Sequence, residues 1–170
     1  MVPVLLLTGP IGVGKSALLH EADLLLITAG ALHATLELEE VAHCWPDEMK
    51  NDRAELVYRN LAAVWSNFAA AGASRLLVAG LVEKRSELRL LSEAVPGAAV
   101  TVVRLQAPLS VLEQRIRLRE PGSPEAEIDG ARWWAEHLAK SRPEDHLVET
   151  ADRPVGEIAR DVLGLAGWLT

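Results

Sequence analysis

Residues Gly9-Pro10-Ile11-Gly12-Val13-Gly14-Lys15-Ser16 form an unbroken G-x-x-x-x-G-K-S run, and few eight-residue stretches restrict a fold as much. Its glycines let the backbone turn tightly, so that successive N–H groups point into one concavity, a nest for anionic oxygens. Before it, Val2–Thr8 is a continuous apolar run without alternation, the pattern of a parallel strand buried on both faces. After it, Lys15 to about Ile27 is compatible with a helix, and Gly30 is placed to close it. A strand, a glycine turn and a helix in that order aim the positive helix end at the same anions. Lys15 is then expected to reach the β- and γ-phosphates of a nucleotide, and the Ser16 hydroxyl to ligate Mg²⁺. Gly9, Pro10, Ile11, Gly12, Val13, Gly14, Lys15 and Ser16, with Ala17 following, are the predicted nucleotide-binding residues.

The rest of the chain alternates strand and helix signals. Ala34–Glu39 reads as a second strand, and Pro46 biases Trp45 away from helical geometry. A long helix is predicted from about Asn51 to Ala71, where Gly72 stops it. Arg75–Ala79 is the third predicted strand, Glu83–Ala94 a charged helix, and Ala99–Leu105 the fourth strand. Ser110–Arg119 is helical, Pro121-Gly122-Ser123-Pro124 a hinge-like break, and Glu125–Ser141 another helix. His146–Glu149 is the fifth strand, and Pro154 suits the first turn of a final helix. Such alternation implies βαβ units, hence an α/β fold with a parallel sheet covered on both faces.

With 170 residues, the chain is expected to form a single domain. At 49% hydrophobic it has enough apolar material for a core. Its 24 acidic and 17 basic residues leave a net charge of −7, which repels a phosphate backbone and argues against nucleic acid or an anionic membrane as partner. Val2–Leu7 is too short to span a bilayer, and His20, Glu21 and Asp23 interrupt the leucine-rich stretch 18–32. A lone cysteine, Cys44, permits no internal disulfide. A reducing cytoplasm is therefore the expected location. The five histidines show no metal-ligand spacing, and a homodimer is compatible with the sequence.

No N-K-x-D guanine-reading motif follows a later strand, and the chain is too short for motor machinery. Nearly the whole chain resembles the P-loop small-molecule kinases of the nucleoside-monophosphate-kinase-like fold: the gluconate kinase, adenylylsulfate kinase, shikimate kinase and chloramphenicol phosphotransferase group. Residues 58–65 through 70–73 resemble the helix before the third strand in the chloramphenicol enzyme. Glu83-Lys84-Arg85-Ser86-Glu87-Leu88-Arg89 resembles a basic stretch of gluconate kinases, and residues 112–119 the arginine-bearing start of the lid. The resemblance implies a five-stranded parallel sheet in the order 2-3-1-4-5, a short lid around residues 115–130, and transfer of the γ-phosphoryl group of ATP to a hydroxyl of a small molecule, with Mg²⁺. It departs from many such kinases at Val78-Ala79-Gly80, where a Walker-B aspartate is missing. Glu37-Leu38-Glu39 stands where gluconate and adenylylsulfate kinases carry an acidic motif.

Several side chains then become candidates, each with a plainer reading beside it. Glu37 is the candidate base and Glu39 a partner of the substrate or of a metal-bound water; alternation with Leu36 and Leu38 also describes a half-solvated edge strand. Arg115 and Arg119, four apart on one helix face, would stabilise the transferring phosphoryl group, or simply flank a solvated helix. Arg117 has Glu113 as an i,i+4 partner and is read as structural. Arg153 would meet the adenine, or remain a loop arginine. Arg59, with Arg53 and Asn60, lies near or on the helix expected to line the acceptor cleft, or is simply polar on an amphipathic helix. Trp45 would cap the pocket or serve as a core or lid aromatic. Of Trp133 and Trp134, one is expected to pack and the other to stay partly exposed. A nucleotide-binding regulatory module without efficient transfer is the alternative function.

Overall fold

Leu5, Leu6 and Leu7 follow one another and all three are fully buried, which requires a strand covered on both faces. In a computed structural model describing residues 1–43, 53–119 and 122–169, these leucines lie in β1 (Val2–Thr8), at the centre of the sheet. The order is β2 (Ala34–Glu37), β3 (Leu76–Ala79), β1, β4 (Ala98–Gln106) and β5 (His146–Glu149). Every pairing is parallel, and the order 2-3-1-4-5 is the one the resemblance implied.

Alternate residues of β1 serve different cores. Leu5 and Leu7 join a cluster with Leu18, Ala22 and Leu26 of α1 (Lys15–Thr28) and Ile158, Ala159 and Val162 of α6 (Val155–Leu165). Val4 and Leu6 face the other way, onto Leu61 and Trp65 of α2 (Arg53–Ala70) and Leu91 of α3 (Leu88–Ala94). Burial of each such leucine is worth about 1.5–3 kcal/mol, so both layers are held by the same strand. A smaller cluster joins Ile116 of α4 (Leu109–Arg119) to Ile128 and Ala131 of α5 (Glu125–Ser141), with Ile11 packed against it.

The sequence expectations are met in kind and corrected in extent. The second strand stops at Glu37, after which the Leu38 amide still donates to Ala79 O at 2.8 Å before a 3-10 turn at Glu40–Ala42. Glu39 therefore leaves the sheet. The predicted charged helix divides into a 3-10 turn at Arg85–Glu87 and α3. Trp45, Cys44 and Pro121 lie outside the described residues. Among those described, no helix is long and apolar enough to cross a membrane.

Candidate active site

All strands point the same way, so their carboxyl ends form one rim, where ligands of open α/β sheets bind. The glycine turn leaves β1 at this rim and enters α1 through Gly14, whose φ is 103°. Gly9 carries the tightest constraint: its φ is 150°, and a Cβ there would lie 2.6 Å from Leu105 O on the neighbouring strand. Lys15 Nζ folds back over the turn and donates to Gly9 O at 2.9 Å and Pro10 O at 3.3 Å. Burial pushes its ammonium below the ordinary lysine value; Glu39 and then Glu37 pull it back up, and Arg119 adds to the lowering. A polyanion beside this lysine would favour the charged form again.

Ser16 Oγ donates to Glu37 Oε2 at 3.0 Å, bringing the first turn of α1 to the end of β2. Glu39 Oε1 accepts from the Leu81 amide at 3.2 Å. Glu37 is in register with Ala79, so its carboxylate occupies the strand next to the missing Walker-B position. A side chain at Gly80 would press on Leu38, its Cβ falling 2.6 Å from Leu38 Cδ1. Ser16, Lys15, Glu37, Glu39, Arg115 and Arg119 all line one cavity of about 510 Å³.

The two arginines reach that cavity differently. Arg115 Nη1 donates to Val13 O and Thr150 Oγ1, each at 3.1 Å, and Nη2 to Thr150 O at 2.8 Å. Buried Thr150 in turn donates from Oγ1 to Val13 O at 3.0 Å. Arg115 thereby ties the glycine turn to the loop after β5. Arg119 Nη2 donates to Glu127 Oε2 at 2.5 Å, linking α4 to α5. Arg117 pairs with Glu125 at 3.6 Å instead of the expected Glu113, which Arg132 takes at 3.2 Å. Interhelix partners displace the i,i+4 one because α5 lies against α4.

Beyond Thr150, a smaller cavity of about 220 Å³ is lined by Val13, Ala17, Leu18, Arg115, Arg153 and Ile158, among others. Arg153 lies at this cavity and donates from Nη2 to Asp161 Oδ2 at 2.5 Å.

On the opposite side, a cavity of about 460 Å³ is lined by Leu38, Glu39, Ala42, Arg53, Ala54, Val57, Tyr58, Leu81, Glu83, Glu87 and Trp134. Glu39 belongs to both this space and the phosphate-side cavity. Burial and then the Glu87 carboxylate raise the Tyr58 phenol to about 12.

Arg59 is not among the lining residues and its side chain is exposed; Arg53 of the same helix lines the space instead. Asn60 is occupied elsewhere, donating to Val41 O at 2.6 Å. Trp133 is the exposed member of the pair, stacked on His137 at 4.5 Å, while Trp134 turns to the cavity. Sequence reasoning missed Thr150, Trp134, Glu83 and Glu87 as cavity residues. The Trp doublet was a usable signal; Thr150 had none.

Comparison with known proteins agrees with this architecture. A family model described as AAA domain matches residues 4–140. No curated protein is significantly similar in sequence. Among solved structures, the APS kinase CysC of Mycobacterium tuberculosis, in complex with AMPPNP and APS, superposes with a TM-score of 0.68 at 19% identity, over 98% of either chain. The tunicamycin resistance protein of Deinococcus radiodurans gives 0.67 at 20% identity, covering 100% of this chain and 98% of its own. A gluconokinase from Sinorhizobium meliloti 1021 gives 0.63 at 22% identity, covering 97% and 91%. At these identities the likeness establishes a shared P-loop fold.

Proposed function

The chain belongs to the AAA domain family, and on that footing we propose that it is an ATP-dependent small-molecule kinase, transferring the γ-phosphoryl group to an acceptor hydroxyl. One observation carries the reading: Glu39 is shared between the cavity at Lys15 and Ser16 and a second space of about 460 Å³ beside it. A phosphate site with an acceptor-sized chamber through one wall is what phosphoryl transfer between two bound molecules needs. The kinases among the structural neighbours, one of them bound to AMPPNP and APS, support the same reading.

In this reading the loop amides and Lys15 hold the phosphates, and the 220 Å³ cavity beside Arg153 receives the base. The acceptor oxygen forms its bond to the γ-phosphorus as the bond to the β,γ-bridging oxygen breaks. The leaving electron pair departs with ADP, and the hydroxyl proton passes to the Glu37 carboxylate. Arg115 and Arg119 face the charge on the transferring group, Arg119 from the lid around residues 115–130 of this single domain. Ser16 Oγ and the Glu37 carboxylate, 3.0 Å apart, are oxygen donors of the kind Mg²⁺ prefers. Ser16 would hold the ion, with Glu39 as partner to one of its waters. Bound there, it would supply neutralisation of the β- and γ-phosphate charge.

The test is product formation from ATP with sugars, nucleosides, hydroxylated amines and hydroxylated antibiotics, comparing the wild type with Glu37→Gln. A phosphorylated product is expected, falling about 10²–10⁴-fold in the variant, the range for a lost general base. Nucleotide binding with no product from any acceptor would overturn the kinase and leave a nucleotide-binding regulatory module.

A further inference from the structure

The chamber beyond Glu39 has a marked charge imbalance. Among the described residues three carboxylates line it, Glu39, Glu83 and Glu87, against one guanidinium, Arg53. The adjoining stretch 83–89 carries three bases, yet none of them lines the space. Arg85 is drawn away to Asp145 at 2.9 Å and to the carbonyls of Pro143 and Glu144. Arg89 pairs with Glu93. Lys84, exposed, lies 3.0 Å from Glu83, which His137 also meets at 2.9 Å. Glu83 is thus partly neutralised by neighbours. Glu39 and Glu87 accept from the main-chain N–H groups of Leu81 and Glu83, at 3.2 and 3.3 Å.

The remaining walls are apolar and aromatic: Leu38, Val57 and Leu81, with Tyr58 and Trp134. Trp134 is held edge-on by Trp133, 4.7 Å away at 87°, and by His137, 5.9 Å away at 86°. Carboxylates beside preset aromatic rings are the two features that stabilise a bound ammonium, one by charge and the other by the ring quadrupole. An acceptor bearing a carboxylate or sulfate would instead meet, among the described residues, three like charges and one opposite.

Resting on the kinase reading above, we propose that the acceptor is a hydroxylated amine, bound as its ammonium among Glu39, Glu87, Tyr58 and Trp134 with a hydroxyl turned toward the phosphate side.

The experiment is calorimetry on the full chain loaded with Mg²⁺ and a non-hydrolysable ATP analogue. The probes are glucosamine, galactosamine, kanamycin and tobramycin; glucose and N-acetylglucosamine, which keep the hydroxyls without the cation; and gluconate and shikimate. At least one amine is expected to bind, with its uncharged counterpart weaker by about tenfold or more, the scale of a charged hydrogen bond, and the acids weaker still. Glu87→Gln should weaken amine binding by about tenfold while leaving affinity for the ATP analogue as in the wild type. Glucose or N-acetylglucosamine binding as tightly as glucosamine, acids preferred over amines, or no amine bound to the nucleotide-loaded protein would each overturn the acceptor class and leave the kinase reading standing. Failure of the protein to load with nucleotide would overturn both.

Discussion

The proposed phosphate side and the proposed acceptor chamber meet at Glu39, but they are built in opposite ways. The cradle is eight consecutive residues whose backbone conformation is demanded locally, down to Gly9, where a side chain would strike Leu105 O at 2.6 Å. The described lining of the chamber comes from residues 38–42, 53–58 and 81–87 together with Trp134. A site made by contiguous backbone tolerates little variation and serves one chemical group, the polyphosphate. A site made by side chains from distant elements can be retuned position by position, which is how one scaffold comes to serve unrelated acceptors.

The contrast can be broken most directly at Lys15. Lys15→Ala is expected to lower turnover by about 10²–10³-fold, the loss seen when one preorganised charge donor is removed from a transition state. Acceptor affinity should survive. Parallel loss of acceptor binding, measured by calorimetry, would mean the two halves are not separable.

Gly9→Ala comes next, with an expected cost of about 1–3 kcal/mol, since both its φ and the Leu105 carbonyl oppose a Cβ. Denaturant unfolding measures it. An unchanged midpoint would show that the turn yields more readily than its geometry implies.

Tyr58 sharpens the other side. It is the single tyrosine, so ultraviolet titration follows it alone, and phenolate should form near pH 12 in the folded protein and near 10 when unfolded. Between those values the native state binds more protons than the unfolded one, so stability should fall as pH rises through that window. A folded-state midpoint near 10 would show that the phenol is not buried beside Glu87.

The smallest effect is expected at Arg59→Ala. With an exposed side chain and no place in the chamber wall, it should change stability by less than about 0.5 kcal/mol and leave turnover as in the wild type. A tenfold rise in acceptor KM would place Arg59 in the site after all.

How much was legible follows the same division. The parallel sheet could be read because Val2–Thr8 is apolar without alternation, and Leu5, Leu6 and Leu7 are indeed buried on both faces. The meeting of Glu37, at the end of β2, with Ser16, in the first turn of α1, 3.0 Å apart, was not read from the sequence. What misled was counting charges along the chain. Arg117 had an obvious partner in Glu113 until α5 supplied Glu125. Residues 83–89 look basic on paper, yet their acids line the chamber while Arg85 is turned onto Asp145.

Taken alone, the amino-acid order determined the nucleotide cradle, the α/β class and the approximate limits of the helices and strands, because these depend on residues a few positions apart and on a period that burial imposes. Which carboxylates, aromatics and guanidiniums share a space was decided only when α2, α3 and α5 docked on the sheet. A side chain's direction depends on the rotation of its helix and on the partners waiting across the interface, and neither quantity is encoded within the segment that carries it.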